Sequence, residues 1–232
     1  MKLIYLNLYK VINKIASSLY SYLNNPKRVT KEILSYKIQN IKFMYSSIPK
    51  FINFVYIFNE MKINNIKGSI VEVGTGSGLS LSQIVSLRNL YFEEKNIYSF
   101  DTFENTHSNN PMRKASQLDD LCIPNLINAG IENPKEEIIF VVGDVKDTLK
   151  EFNKEIAFLH IDVDLPEVYE IVLKGLWNNL GTNSIIVFDE YDKKEDIKKF
   201  GNMKLVIDDF LSDKNFENIE DNNINRYCIK KL

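Results

Sequence analysis

Cysteine is scarce in this chain. Cys122 and Cys228 are the two it has, 106 residues apart, with no metal-ligand spacing around either. A disulfide framework is therefore excluded, and reduced structural thiols are expected. Charge of one sign is lacking too. Lys and Arg number 29 against 31 Asp and Glu, and the basic residues are scattered. A nucleic-acid binder normally carries a basic stripe, so that partner class is set aside. No run reaches the roughly 20 apolar residues that a membrane span requires. Met1–Leu23 is rich in Leu, Ile and Tyr, but Lys2, Lys10 and Lys14 interrupt it. It also has no compact apolar core ahead of a small-residue cleavage site, so no secretory signal is read and the cytoplasm is the expected location. No internal repeat is visible.

What is present fits a soluble globular protein. Hydrophobic residues make up 44% and charged residues 26% of 232, enough for one domain with an appendage and a substantial core. Residues 1–67 read as a helical N-terminal extension. Leu8, Ile12, Ile15 and Leu19 share one helical face, which predicts packing on the domain or on a second copy of the chain; attachment to a membrane surface is the weaker reading. Thr30, Ile33, Leu34, Ile38, Ile41 and Met44 predict a capped helix, and Pro49 ends or restarts the run. Phe51, Phe54, Val55 and Phe58 predict another amphipathic stretch.

From Gly68 onward, strand-like and helical patterns alternate. Strands are predicted at 69–73, 97–100, 138–142, 156–161 and 184–188, with a terminal strand at 225–230. Helices are predicted at 79–89, 116–128, 145–152, 167–179 and 204–211. That order implies an α/β fold with a mostly parallel sheet covered by helices on both faces. The strands are continuous apolar runs, as expected when both faces are buried.

The most informative stretch is Ile70–Gly78, which reads as strand, glycine turn and helix start. Glycines let a ligand approach the main chain, and the helix N-terminus behind them suits an anion. A dinucleotide fingerprint needs G-x-G-x-x-G and an acid about 20 residues on. Here Leu79 stands at the third glycine position, and the next strand-end acid, Asp101, lies 27 residues after Gly74. Every strand-like run also ends at a carboxylate: Glu72, Asp101, Asp144, Asp162 with Asp164, and Asp189 with Glu190. In open α/β sheets ligands bind beyond those strand ends. One such acid is an ordinary helix cap; five sets in succession point to a site.

The turn from Glu72 to Gly78 resembles motif I of the class I S-adenosylmethionine-dependent methyltransferases. Residues 97–104 (IYSFDTFE), 140–149 (FVVGDVKDTL), 158–167 (FLHIDVDLPE) and 185–191 (IIVFDEY) resemble the macrocin O-methyltransferase family. The resemblance implies a Rossmann-like fold and O-methyl transfer to a hydroxyl of a sugar or other small molecule. It implies S-adenosylmethionine held by Glu72, Gly74, Gly76, Gly78, Asp101 and Asp144, with Asp101 on the ribose hydroxyls and Asp144 near the adenine. It implies Mg²⁺ on Asp162, Asp189 and Glu190, and on that constellation Asp162 or Asp164 is expected to accept the proton of the attacking hydroxyl. Three positions depart from the family pattern: Glu190 for a second aspartate, Pro166 for a tyrosine, and Asn183-Ser184 for a glycine pair.

His160 reads as structural support inside a strand, His107 as a loop residue near the mouth of the site, and Tyr191 as a candidate substrate contact. Residues 102–117, with Pro111, Met112 and Arg113, have the length of a lid or specificity loop. Two other functions stay open at this point. One is a nicotinamide-dependent oxidoreductase on the same layers; the other is a degenerate methyltransferase fold that only binds.

Overall fold

A computed structural model describes residues 48–104, 117–192, 201–220 and 226–232. The expectations placed on residues 1–47, on His107 and on Pro111, Met112 and Arg113 lie outside the described residues. Helix α1 (Ile48–Ile63) leads into β1 (Ser69–Val73), α2 (Leu79–Tyr91) and β2 (Ile97–Asp101). A π-helical turn (Leu118–Cys122) continues into α3 (Ile123–Asn128), and the short α4 (Pro134–Glu137) precedes β3 (Ile138–Val142). Next come α5 (Val145–Thr148), β4 (Ile156–Ile161), α6 (Pro166–Leu176) and β5 (Leu180–Phe188). Helix α7 (Met203–Leu211), the short strand β6 (Phe216–Asn218) and β7 (Tyr227–Lys231) complete the order.

The seven strands form one sheet in the order β3-β2-β1-β4-β5-β7-β6. The pairs among β1 to β5 are parallel, while β7 runs antiparallel to β5 and to β6. This is the mostly parallel α/β sheet that the alternation predicted, in a Rossmann-like strand order. Each strand has two buried faces only near the middle. All of β1 and β4 is buried, but Ile139 and Val142 of edge strand β3 are exposed at 44% and 56%. The expectation of complete burial fails there because no strand or helix covers that edge among the described residues.

Side-chain alternation sorts the core into two layers. Ile70 and Phe158 face α1 and α2, with Phe54, Ile57, Phe58, Met61, Leu81 and Ile84. Val71, Val73, Leu159 and Ile161 face the other way, with Val172, Leu176, Met203 and Ile207 of α6 and α7. Helix α1 is bound tightly to the sheet. Phe158 meets Phe54 and Phe58 edge-on, at ring-centroid distances of 5.8 and 5.3 Å.

Two departures have local reasons. Strand β5 begins four residues earlier than the apolar run suggested, because Gly181 to Asn183 extend it through an irregular register against β4. Asn183 takes φ +66°, the left-handed region that asparagine tolerates better than most residues, and so stands in for a glycine. Pro166 opens α6, where its fixed φ suits the first turn and its missing N–H costs nothing. Strand β6, three residues long, had no apolar pattern to announce it. Among the described residues no helix is long and apolar enough to cross a membrane.

Phe158→Ala should cost about 3–5 kcal/mol of unfolding free energy, since it leaves a cavity where α1 meets the sheet. Denaturant titration of the purified variant measures that loss.

Candidate active site

The glycine turn is shaped by a backbone collision it avoids. Gly74 has φ +88°, and a Cβ there would stand 2.0 Å from the carbonyl oxygen of Asp162. Only glycine lets the tip of β1 lie against the tip of β4. Gly76, at φ +51°, has open space where its Cβ would be. Its N–H donates to Asp101 Oδ2 at 2.8 Å, and Asp101 Oδ1 accepts from the N–H of Phe103 at 2.7 Å. Asp101 thus ties the glycine turn to the loop after β2, with a further lone pair on each oxygen available to a ligand.

Above this turn lies a cavity of about 480 Å³. Gly74, Gly76, Asp101, Asp144, Asp162 and Asp164 all line it, together with uncharged groups such as Phe100, Val145 and Val163. Asp144 also caps α5, accepting from the N–H of Lys146 at 2.9 Å. Six of the expected residues therefore meet around one space. A volume of this size, with an amide-lined glycine turn and a carboxylate at the tip of β2, fits a nucleoside-bearing cofactor.

Glu72 and Gly78 are placed elsewhere. Gly78 precedes α2 and lies against Cys122 Sγ, outside the cavity lining. Glu72 is wholly buried on the α1 side of β1, because it shares the face of Ile70. Its Oε2 accepts from the Thr75 hydroxyl at 3.1 Å, and Thr75 Oγ1 lies 2.6 Å from Ser99 Oγ. Its Oε1 lies 2.9 Å from His160 Nδ1. Ser99, Glu72 and His160 are register partners on β2, β1 and β4, so three adjacent strands carry one buried polar row.

That row continues to the strand tips. His160 Nε2 is 3.8 Å from Asp189 Oδ1. Lys50 Nζ stands between two carboxylates, 2.8 Å from Asp162 Oδ2 and 2.7 Å from Asp189 Oδ1. Arg226 Nε reaches the same Asp189 oxygen at 2.9 Å. Burial opposes the charge on Lys50, yet the two aspartates outweigh it and raise its pKa. Burial likewise opposes a charged His160, but Asp189 and Glu72 lift it to about 9. Burial would raise Asp189, and His160, Lys50 and Arg226 instead hold it well below the usual carboxylate range.

Glu190 behaves differently from the other acids. Burial first, and then Asp162 and Asp189, push its pKa up to about 9. Its Oε2 lies 2.8 Å from the Tyr169 hydroxyl, which is also 3.1 Å from the carbonyl of Ile161. The phenol has one proton to share between these two acceptors.

Mg²⁺ demands about six oxygens in a near-octahedral shell. Donor atoms of His160, Asp162 and Asp189 do converge within 4.8 Å, and Glu190 is not in that group. The position between the two aspartates is filled by the Lys50 ammonium, so a divalent ion does not fit this arrangement. Lys50, Arg226, Ser99, Thr75 and Tyr169 escaped the sequence reading. Lys50 had one signal: it precedes Phe54 by one helical turn, on a face that must be buried. Tyr191, read as a substrate contact, stacks on Tyr227 at 3.9 Å and bonds Asp208 and Lys204.

A glycine turn roofed by open space, an aspartate at the tip of β2 and this strand order define a class I S-adenosylmethionine-dependent methyltransferase. Residues 71–191 match the family model described as a methyltransferase domain, and the chain belongs to that family. That membership sets aside the nicotinamide reading. No curated protein matches the chain in sequence. Among solved structures it resembles apo CalS11, a TDP-rhamnose 3'-O-methyltransferase of calicheamicin biosynthesis, with 17% identity and a TM-score of 0.60; 94% of each chain is covered. The O-methyltransferase NovP aligns over 80% of this chain and 79% of its own at 20% identity and TM-score 0.58. The SAH-bound Podospora anserina methyltransferase PaMTH1 aligns over 94% and 96% at 14% identity and TM-score 0.53. At such identities the likeness shows the fold.

Glu190 and His160 hold their protons more tightly folded than unfolded, so unfolding releases protons as pH rises. The stabilisation is whole below 4.5 for Glu190 and below 6.5 for His160, and is lost as pH rises through about 9. The melting temperature should therefore fall between pH 6.5 and 9, and Glu190→Gln should flatten that fall. Thermal melts across the pH range measure both.

Proposed function

We propose that the chain is an O-methyltransferase acting on a hydroxyl of a small molecule, with a sugar ring as the acceptor class. The observation that carries the reading is the cavity itself. Gly74, Gly76, Asp101, Asp162 and Asp164 border it together. The O-methyl transfer named for CalS11 and NovP supports it, and CalS11 adds the sugar.

When bound, S-adenosylmethionine supplies a methyl group made electrophilic by its sulfonium. In this reading Asp101 would hold the ribose hydroxyls, Asp144 the adenine end, and the Gly74–Gly76 backbone the methionine end. Glu72 contributes indirectly, by holding Thr75 of the turn from below. What the protein must then supply is orientation, with the acceptor oxygen standing opposite the carbon–sulfur bond. As the new carbon–oxygen bond forms and the carbon–sulfur bond breaks, the attacking oxygen becomes acidic. Asp162 takes its proton, with Asp164 as the alternative base, and releases it to solvent. No step is routed through Mg²⁺. Helix α1, the described part of the N-terminal extension, is assigned to the acceptor side.

Calorimetry should show one S-adenosylhomocysteine per chain and no binding of NAD. A sugar-nucleotide panel with labelled S-adenosylmethionine should yield a methylated product. Asp162→Ala should lower turnover by about 100-fold or more and leave S-adenosylhomocysteine affinity unchanged. Binding without transfer to any hydroxyl acceptor would favour the degenerate, binding-only reading.

A further inference from the structure

We infer that Lys50 is the resident cation of the acceptor site, joining Asp162 to Asp189 where a divalent metal would otherwise stand, so that methyl transfer needs no metal ion. This rests on the proposed transfer at Asp162 and adds the group that positions it.

Three observations carry the inference. The first is occupancy. Lys50 Nζ lies 2.8 and 2.7 Å from oxygens of the two aspartates, ordinary distances for an ammonium donating to carboxylates. Asp189 Oδ1 accepts from both Lys50 and Arg226, so its two lone pairs are already used by protein donors.

The second is anchorage. A surface lysine could swing away from a metal, but this one cannot do so cheaply. Phe54, one turn later on α1, is fully buried, and its ring lies 5.0 Å from that of His160 and 5.8 Å from that of Phe158. Ile57, Phe58 and Met61 continue the same buried face. The helix thus delivers Lys50 to the strand tips with its side chain 11% exposed.

The third is charge balance. Asp162 and Asp189 are matched by Lys50 and Arg226 within one connected network. A divalent ion added to this set would leave an excess of positive charge with little solvent to disperse it. Removing Lys50 would instead leave two facing carboxylates, the usual invitation to a metal. Lys50 lies outside the cavity lining and acts through Asp162, so it is a positioning residue.

The test begins with the wild-type chain, after S-adenosylhomocysteine binding and methyl transfer have been established. Chain dialysed against EDTA should keep its full activity, gain nothing from Mg²⁺, and bind no Mn²⁺ by electron paramagnetic resonance. Lys50→Met should reduce turnover by about 100-fold, retain S-adenosylhomocysteine binding and acquire a bound Mn²⁺. Lys50→Arg should recover part of the activity and bind none. Loss of wild-type activity on metal removal, restored by Mg²⁺, would overturn the inference, as would one Mn²⁺ bound per wild-type chain. Should Lys50→Met fail to fold, the wild-type measurements decide. If S-adenosylhomocysteine does not bind the wild type, it is the methyltransferase reading that fails instead.

Discussion

A row of buried polar groups running across three strands to their tips governs the rest of this molecule. Ser99, Glu72 and His160 lie side by side on one face of the sheet, and His160 faces Asp189, which shares Lys50 with Asp162. Burying charges is costly unless each finds a partner of opposite sign. Here Glu72, Asp162 and Asp189 each face a basic group, while burial and the two aspartates raise the pKa of Glu190. The network explains why α1 packs where it does, why the glycine turn is held from below, and why the tips of β4 and β5 present their acids together.

Strand parity converts that network into a site. Residues two apart share a face, so Glu72 falls with Ile70 and His160 with Phe158, toward α1. Beyond the strand ends the chain turns, and Asp101, Asp144, Asp162 and Asp164 come to border one open space. Gly74 makes the closeness of β1 and β4 possible, since any side chain there would collide with the Asp162 backbone. The cavity and the charge network therefore share Asp162. A change in the charges beneath is felt at the cavity lining.

Much of this was legible in the residues. The glycine turn, the strand-end acids and the alternation of elements are local patterns, and they recovered the sheet and the residues lining the cavity. Two expectations about charge came out differently. Glu72 precedes the turn in sequence, but the pleat sends its carboxylate to the opposite side from the cavity. The acids at 162, 189 and 190 read as ligands waiting for a metal. No local pattern announces that a lysine more than a hundred residues earlier will stand between two of them.

The sequence by itself determined the fold class, the strand tips that carry acids and the glycine turn that borders the cavity. All of these follow from short-range periodicity and from backbone freedom at glycine. Only the tertiary structure decided which acids border the cavity, which face basic groups, and which has its pKa raised. Those outcomes depend on burial and on charges brought together from distant parts of the chain. Lys50 and Arg226, from opposite ends of the described residues, meet at Asp189 because α1 packs on β5 and Arg226 immediately precedes β7, which pairs with β5.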